Sequence, residues 1–374
     1  MRWLRLLGPA TIVSVAYIDP GNFGANIEAG ARYGLALLWV VAVSGVLAIL
    51  VQYVAGMVGV KRGAGVLDLA HKWRPLMAPP LIAIVLATDM AEYMGVVMGL
   101  YLLTGLPLWL CAAVGFFDVL VLAMLADRRG LFAKVIGGMV AAVALSFIVQ
   151  LYLVKPDWGK VFSSLLSPSL EGHMAVVAAA IVGATIMPHA VILHTHIAVG
   201  QQRADHLYQT LVNLLGAAAI NASILIVSAY ELHGLDAELT EIPKILEPLY
   251  GPLAAFLFSM ALLLSGVSSS AVSVEVGLLT ARYLFGKAVA PWKARLAARA
   301  VNIVPAVLAV AAAGISPLTI LVYTQAVLAA VLPFVLAVLW HYSRGVVSPL
   351  LNGAVAAVAA YAGVMTAYSL VGGL

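Results

Sequence analysis

Ala16-Tyr17-Ile18-Asp19-Pro20-Gly21-Asn22-Phe23 sets a carboxylate, a helix breaker, a flexible residue and a carboxamide inside a stretch otherwise apolar enough to cross a membrane. A proline removes one backbone N–H and frees a carbonyl of the preceding turn. In hydrocarbon each freed group costs several kcal/mol, so it must face protein, water or a ligand. A second interruption of the same kind, Met187-Pro188-His189, stands in a later apolar segment. Two broken helices in one bundle point to an ion site near the bilayer midplane.

The surrounding sequence places both interruptions in a membrane protein. Of 374 residues, 64% are hydrophobic and 10% charged, with a mean hydropathy of +1.07. A soluble domain of this length does not have that composition. Apolar runs separate at 7–28, 34–58, 79–103, 107–126, 132–153, 174–200, 208–230, 252–284, 296–314, 316–340 and 348–371, which predicts eleven transmembrane helices joined by short loops. The runs are too long and too continuously apolar for barrel strands, which alternate with a period of two. The expected fold class is an all-α polytopic membrane protein forming a single transporter domain over 1–374. Arg2 and Arg5 precede the first apolar run, but the polar break inside it and the lack of a small-residue cleavage pattern argue against a secretory leader. The single cysteine, Cys111, excludes an internal disulfide and reads as a packing residue.

The net charge of +4 does not signal nucleic acid, because its distribution follows the membrane. With the N-terminus cytoplasmic, every basic residue except Arg32, Lys155, Lys160 and Lys244 falls in a cytoplasmic loop or at a helix end, Arg299 among them. The loop before the eighth helix is acidic instead, with Glu231, Asp236, Glu238, Glu241 and Glu247. An odd number of spans puts the C-terminus outside, in a cell (plasma or inner) membrane. The breaks fall in the first and sixth helices, so helices 1–5 (7–153) and 6–10 (174–340) form two halves of opposite orientation, a 5+5 inverted repeat, with the eleventh (348–371) left over.

Asp19 and Asn22, three apart, can converge on one point as cation ligands; the other reading is a helix cap. Met187, directly before Pro188, offers a thioether that favours transition ions over Ca²⁺ and Mg²⁺, or fills a gap in packing. Ala184, one turn earlier, contributes a carbonyl that the break exposes. His189 sits at the break as a proton acceptor, whereas His194 and His196 read as hydrogen-bonded packing or entrance residues. Asp89 and Glu92 share a helix face and suit a proton pathway, unless they are salt-bridged to a basic residue such as Arg299. Gln325 reaches the central site or makes an interhelical hydrogen bond. Asp118 and Glu275 are buried by position in the fourth and eighth helices.

The first motif, with Gly8-Pro9 before it, resembles the first-helix signature of the Nramp family (natural resistance-associated macrophage proteins). Gly183-Ala184-Thr185-Ile186-Met187-Pro188-His189 resembles its sixth-helix signature. Similarity continues through Thr88-Asp89-Met90-Ala91-Glu92, Gly105-Leu106-Pro107-Leu108-Trp109, Leu246-Glu247-Pro248-Leu249 and Gln325 with Leu332-Pro333-Phe334. The resemblance implies a leucine-transporter-like fold and a secondary transporter importing Mn²⁺ or Fe²⁺, with Cd²⁺ and Co²⁺ accepted, by proton-coupled alternating access. It assigns the metal to Asp19, Asn22, the Ala184 carbonyl, Met187 and Gln325, and the proton route to Asp19, His189, Asp89 and Glu92. The metal and protons are then substrates, with no cofactor, no enzymatic activity, the bilayer as surroundings and a monomer as the unit.

The chain departs from the family pattern at Ala190, at Val267 of Gly266-Val267-Ser268-Ser269, at Glu275, at Asn26 and at Glu28, leaving the metal ligands intact. A cation-coupled amino-acid transporter on the same fold is the alternative. There the first break would hold a substrate carboxylate, which Asp19 would repel. A membrane metalloenzyme lacks its motifs, and a channel would show non-saturating flux.

Overall fold

The computed structural model describes residues 8–117, 129–235, 238–286, 290, 293, 296–297, 299–302, 310 and 314–372, and these form helices and no strand. In chain order they are α1 (Pro9–Ala16), α2 (Pro20–Tyr33), α3 (Leu38–Arg62), α4 (Val66–Leu69), α5 (Arg74–Thr104), α6 (Leu108–Gly115), α7 (Arg129–Val154) and α8 (Trp158–Leu166). There follow α9 (Ala175–Thr185), α10 (Pro188–Ile197), α11 (Arg203–Glu231), α12 (Ile242–Tyr250), α13 (Pro252–Phe285), α14 (Pro317–Ser343) and α15 (Pro349–Gly372).

Eight stretches among the described residues are long and apolar enough to cross a membrane. The first expected helix is divided into α1 and α2, each too short to span by itself. The fourth is described only as far as 117, and 296–314 only at scattered positions, so Asp118 lies outside the described residues. The connections are not all loops. Helix α8 is capped by Asp157, whose carboxylate accepts from Gly159 N (2.9 Å) and Lys160 N (3.3 Å), and α12 opens with Pro243 in its first turn. Such caps satisfy backbone donors in helices that contain too few apolar residues to register as spans.

Both interruptions are real breaks. Helix α1 ends at Ala16, the chain unwinds over 17–19, and Pro20 restarts it as α2; α9 ends at Thr185 and Pro188 opens α10. A proline at the first helical position loses nothing, because that N–H has no intrahelical acceptor. The broken sixth segment is central: 94% of its most apolar window is buried, against 22% for α15.

Glycines at and facing the breaks permit close packing. A Cβ on Gly183 would lie 2.1 Å from the Gln325 carbonyl oxygen and 2.6 Å from Ala329 N, so α9 and α14 meet backbone to backbone. A Cβ on Gly95 of α5 would lie 2.1 Å from the Pro20 ring, which presses α5 against the first break.

The Lys61 end of the bundle is tied together by side chains reaching backbone carbonyls. Lys61 donates to Val346 O (2.7 Å), Arg62 to Arg344 O (2.8 Å), Tyr342 to Leu69 O (2.7 Å) and Tyr283 to Ala70 O (2.8 Å). At the opposite end Trp39 donates to Ser169 O (3.1 Å) and Tyr33 to His173 O (2.8 Å). Tyr250, on the connecting helix α12, donates to the Glu231 carboxylate; burial, then that acceptor, holds its phenol well above the usual range.

Candidate functional site

The two breaks meet through one side chain. Asn22, in the first turn of α2, donates its amide hydrogens to Asp19 Oδ1 (3.0 Å) and to the Ala184 carbonyl (2.9 Å). The same Asp19 oxygen accepts from Asn22 N at 2.8 Å, so Asp19 caps α2. The cap and the ion-ligand readings of Asp19 therefore describe one arrangement. The Ala184 carbonyl is available because its partner four residues on would be Pro188, which has no N–H. Both amide hydrogens of Asn22 are used, and its Oδ1 is buried with no hydrogen-bond partner.

Gln325, fully buried on α14, closes the third side. A Cβ on Gly21 would sit 1.9 Å from its Nε2, which places its amide against the first turn of α2. Its Oε1 also has no hydrogen-bond partner. Two unpartnered amide oxygens, a carboxylate and a carbonyl exposed by proline thus converge at the breaks, and buried oxygens left unpaired call for an explanation. Met187, at the N-cap of α10 and fully buried, lies three residues from that carbonyl. No group of three His, Cys, Asp or Glu side chains placed to hold a metal ion occurs among the described residues; the polar groups gathered at the breaks are the Asp19 carboxylate with amide and carbonyl oxygens.

His189 is buried in the first turn of α10 with Nδ1 unpartnered. The other two histidines are hydrogen-bonded: His194 Nδ1 contacts Gln52 Oε1 at 2.8 Å, and His196 Nδ1 contacts Ile192 O at 2.9 Å. Asp89 faces Arg299 Nε at 3.6 Å and accepts from Asn302 at 3.0 Å, while Ser273 donates to both oxygens of Glu92. The Arg299 guanidinium also lies 4.7 Å over the Tyr93 ring. Arg299 is fully buried in this network, which corrects its placement among the cytoplasmic basic residues. Glu92 is one turn before Gly95, the residue that packs on Pro20, so the carboxylate pair adjoins the first break. Glu275 is a second correction: its segment is apolar, but its side chain is exposed on α13.

Residues that the sequence reading passed over hold the first break open. The Tyr17 carbonyl accepts from Asn221 of α11 (3.0 Å), and the Ile18 carbonyl from Ser265 of α13 (2.7 Å). Ser265 directly precedes the Gly266-Val267-Ser268-Ser269 motif, and Asn221 is a polar residue inside an apolar helix; those are the signals that could have found them. Removing either donor leaves a buried carbonyl unpaired, at about 1–3 kcal/mol. Asn221→Ala and Ser265→Ala are each expected to lower the thermal unfolding midpoint in detergent. An unchanged midpoint in both would show that neither supports the unwound segment.

Comparison with known proteins places this geometry. A family model described as natural resistance-associated macrophage protein-like matches residues 10–372. A protein of Deinococcus radiodurans named divalent metal cation transporter MntH is 36% identical over 361 residues, covering 90% of this chain and 80% of the relative. A Bacillus subtilis protein of the same name is 34% identical over 378 residues, covering 93% and 86%. The crystal structure of an Eremococcus coleocola manganese transporter in complex with an aromatic bis-isothiourea substituted compound superposes with a TM-score of 0.84. At 22% identity, over 97% of this chain and 85% of that one, this likeness speaks for the fold. The alternative of a cation-coupled amino-acid transporter on the same fold finds no relative among these, and a family match over residues 10–372 makes the chain a member of the Nramp family.

Proposed function

We propose that this protein imports divalent transition-metal ions, Mn²⁺ or Fe²⁺ with Cd²⁺ and Co²⁺ accepted, by proton-coupled alternating access. The observation that carries the reading is Asn22 bridging the Asp19 carboxylate and the Ala184 carbonyl across the two breaks. Curated relatives above 30% identity that are named divalent metal cation transporters support it.

In this mechanism a hydrated ion reaches the breaks and exchanges water for Asp19, the Asn22 and Gln325 amide oxygens, the Ala184 carbonyl and the Met187 thioether. Asn22 now donates where a metal site needs its oxygen, so binding rotates its amide and turns Oδ1 towards the ion. The proton leaves by Asp19 and His189 and through Asp89 and Glu92, whose Arg299 and Ser273 partners adjoin the first break. The two halves, 7–153 and 174–340, rock about the site, with 348–371 outside the repeat. The protein works as a monomer in the cell membrane, N-terminus cytoplasmic and C-terminus external. Neutral amino acids are a poor fit, since the Asp19 carboxylate stands where a substrate carboxylate would bind.

Competition in proteoliposomes tests this. Saturable Mn²⁺ uptake is expected to be inhibited by Fe²⁺, Co²⁺ and Cd²⁺, to persist in excess Mg²⁺ and Ca²⁺, and to acidify the lumen. Uptake inhibited by amino acids, or flux linear in Mn²⁺, would overturn the assignment.

A further inference from the structure

At the Lys61 end, away from the breaks, a cavity of about 180 Å³ opens between the α4–α5 connection, the end of α10 and the end of α13. Arg74, Arg282, His71, His196 and Tyr283 line it, with Asp68 the one carboxylate among its described walls. The two guanidiniums are free to act on a ligand. Neither makes a hydrogen bond or ion pair from its side chain to another described residue; Arg74 only stacks 5.7 Å over the Tyr283 ring. Tyr283 is in turn held in the cavity wall by its bond to Ala70 O (2.8 Å), with the His71 ring stacked at 6.0 Å. Asp68 offsets part of this charge: its Oδ2 accepts from Gly65 N (3.3 Å) and stands 3.5 Å from His196 Nε2, so two guanidiniums outnumber one carboxylate in the lining.

This balance excludes one role and favours another. Two unpaired guanidiniums repel a divalent cation, so the cavity is a poor stage on a metal's route. Guanidinium forks instead match the oxygens of a phosphate, and basic pockets between helices at a membrane surface are a recurring place for phosphate headgroups. The size agrees: the cavity has room for a small tetrahedral anion with a few waters but is below the volume of pockets for drug-sized molecules, roughly 300 Å³ and above. Leu279 in its wall and the exposed Phe285 beside its Gly286 edge offer apolar surface on which an acyl chain can lie.

We propose that this cavity binds a phosphate-bearing anion, joining the α4–α5 connection, α10 and α13 through Arg74 and Arg282. The phosphate comes either from an anionic lipid headgroup of the adjoining leaflet or from solution, and the two sources are separable. The full-length protein is placed in nanodiscs of phosphatidylcholine alone or with phosphatidylglycerol, and separately in neutral detergent with inorganic phosphate or chloride at matched ionic strength. Thermal stability is followed in each, and retained lipid is counted by native mass spectrometry. For a lipid source, phosphatidylglycerol raises the midpoint, and a lipid molecule stays bound. For a soluble source, inorganic phosphate raises it and phosphatidylglycerol does not.

In either case Arg74→Gln with Arg282→Gln weakens binding by roughly 30-fold, the effect of two charges beside an anionic headgroup. Arg74→Lys with Arg282→Lys keeps both charges without the forked donors, so it loses less than the glutamine pair and controls for folding. Wild-type protein indifferent to both anions, or a glutamine double variant that binds as tightly as wild type, would overturn the proposal. Metal uptake is not the readout, so a failure here leaves the transport assignment standing.

Discussion

Asp19→Ala is expected to abolish Mn²⁺ uptake, with a loss well beyond the roughly 10–100-fold that follows removal of an outer-shell partner from a metal site. The reason is charge. In the proposed ligand set Asp19 is the one charged group, and the remaining donors, Asn22, Gln325, the Ala184 carbonyl and Met187, are all neutral. A divalent ion stripped of water among neutral ligands keeps both charges uncompensated at membrane depth, where each costs several kcal/mol. Alanine also removes the cap that accepts from Asn22 N at 2.8 Å, which destabilises α2 by about 1 kcal/mol. Asp19→Asn separates the two effects, because asparagine caps a helix as well as aspartate does and carries no charge. Both variants should fold, as judged by size-exclusion chromatography, and both should fail to transport in proteoliposomes. Wild-type Mn²⁺ affinity in Asp19→Asn would show that the carboxylate serves only as a cap.

The breaks were legible because proline acts locally. Pro20 and Pro188 each remove an N–H wherever they stand, so the interruption and the carbonyl it frees follow from the sequence alone. What closes the freed groups was not legible. Asn221 and Ser265 are two of many polar residues scattered through apolar helices, and only the packing of α11 and α13 around the break singles them out. Arg299 shows the opposite failure. Read by position it belongs with the basic helix ends, yet its side chain is fully buried against Asp89, because a buried carboxylate and an aromatic ring at 4.7 Å compensate a guanidinium that water would otherwise solvate. The sequence had offered Arg299 as a partner for the carboxylate pair without being able to choose between that and an exposed role.

Helices α8 and α12 were missed for a different reason. A search for membrane-length apolar runs is blind to short amphipathic helices, which depend on a cap such as Asp157 and on one apolar face resting on the bundle, Val161 in α8 and Ile242 with Leu246 in α12. The site itself was half legible. Residue types named Asp19, Asn22, Met187 and Gln325, but that the Gln325 amide lies against Gly21 while its backbone touches Gly183, linking both breaks to α14, is a fact of packing.

Met187→Leu carries the second large expected effect, on selectivity rather than rate. In the proposed ligand set every donor apart from Met187 is an oxygen, and an all-oxygen shell suits Ca²⁺, which takes six to eight such ligands at about 2.3–2.6 Å, as readily as it suits Mn²⁺. The thioether is the one soft donor, so its removal should cost Cd²⁺ most, Mn²⁺ least, and Ca²⁺ or Mg²⁺ nothing. Truncation to alanine confuses this with packing, since emptying a fully buried methionine costs about 2–5 kcal/mol. Leucine keeps the volume at a cost below about 1.5 kcal/mol and deletes only the sulfur. Discrimination of Cd²⁺ against Ca²⁺, measured as the ratio of their competition constants for Mn²⁺ uptake, is expected to fall roughly 10–100-fold in Met187→Leu. In Met187→Ala, where water can enter the vacated space as an extra oxygen ligand, Ca²⁺ and Mg²⁺ should become competitors outright. A leucine variant that keeps the wild-type ratio would remove sulfur from the site and leave Met187 as packing behind the Ala184 carbonyl.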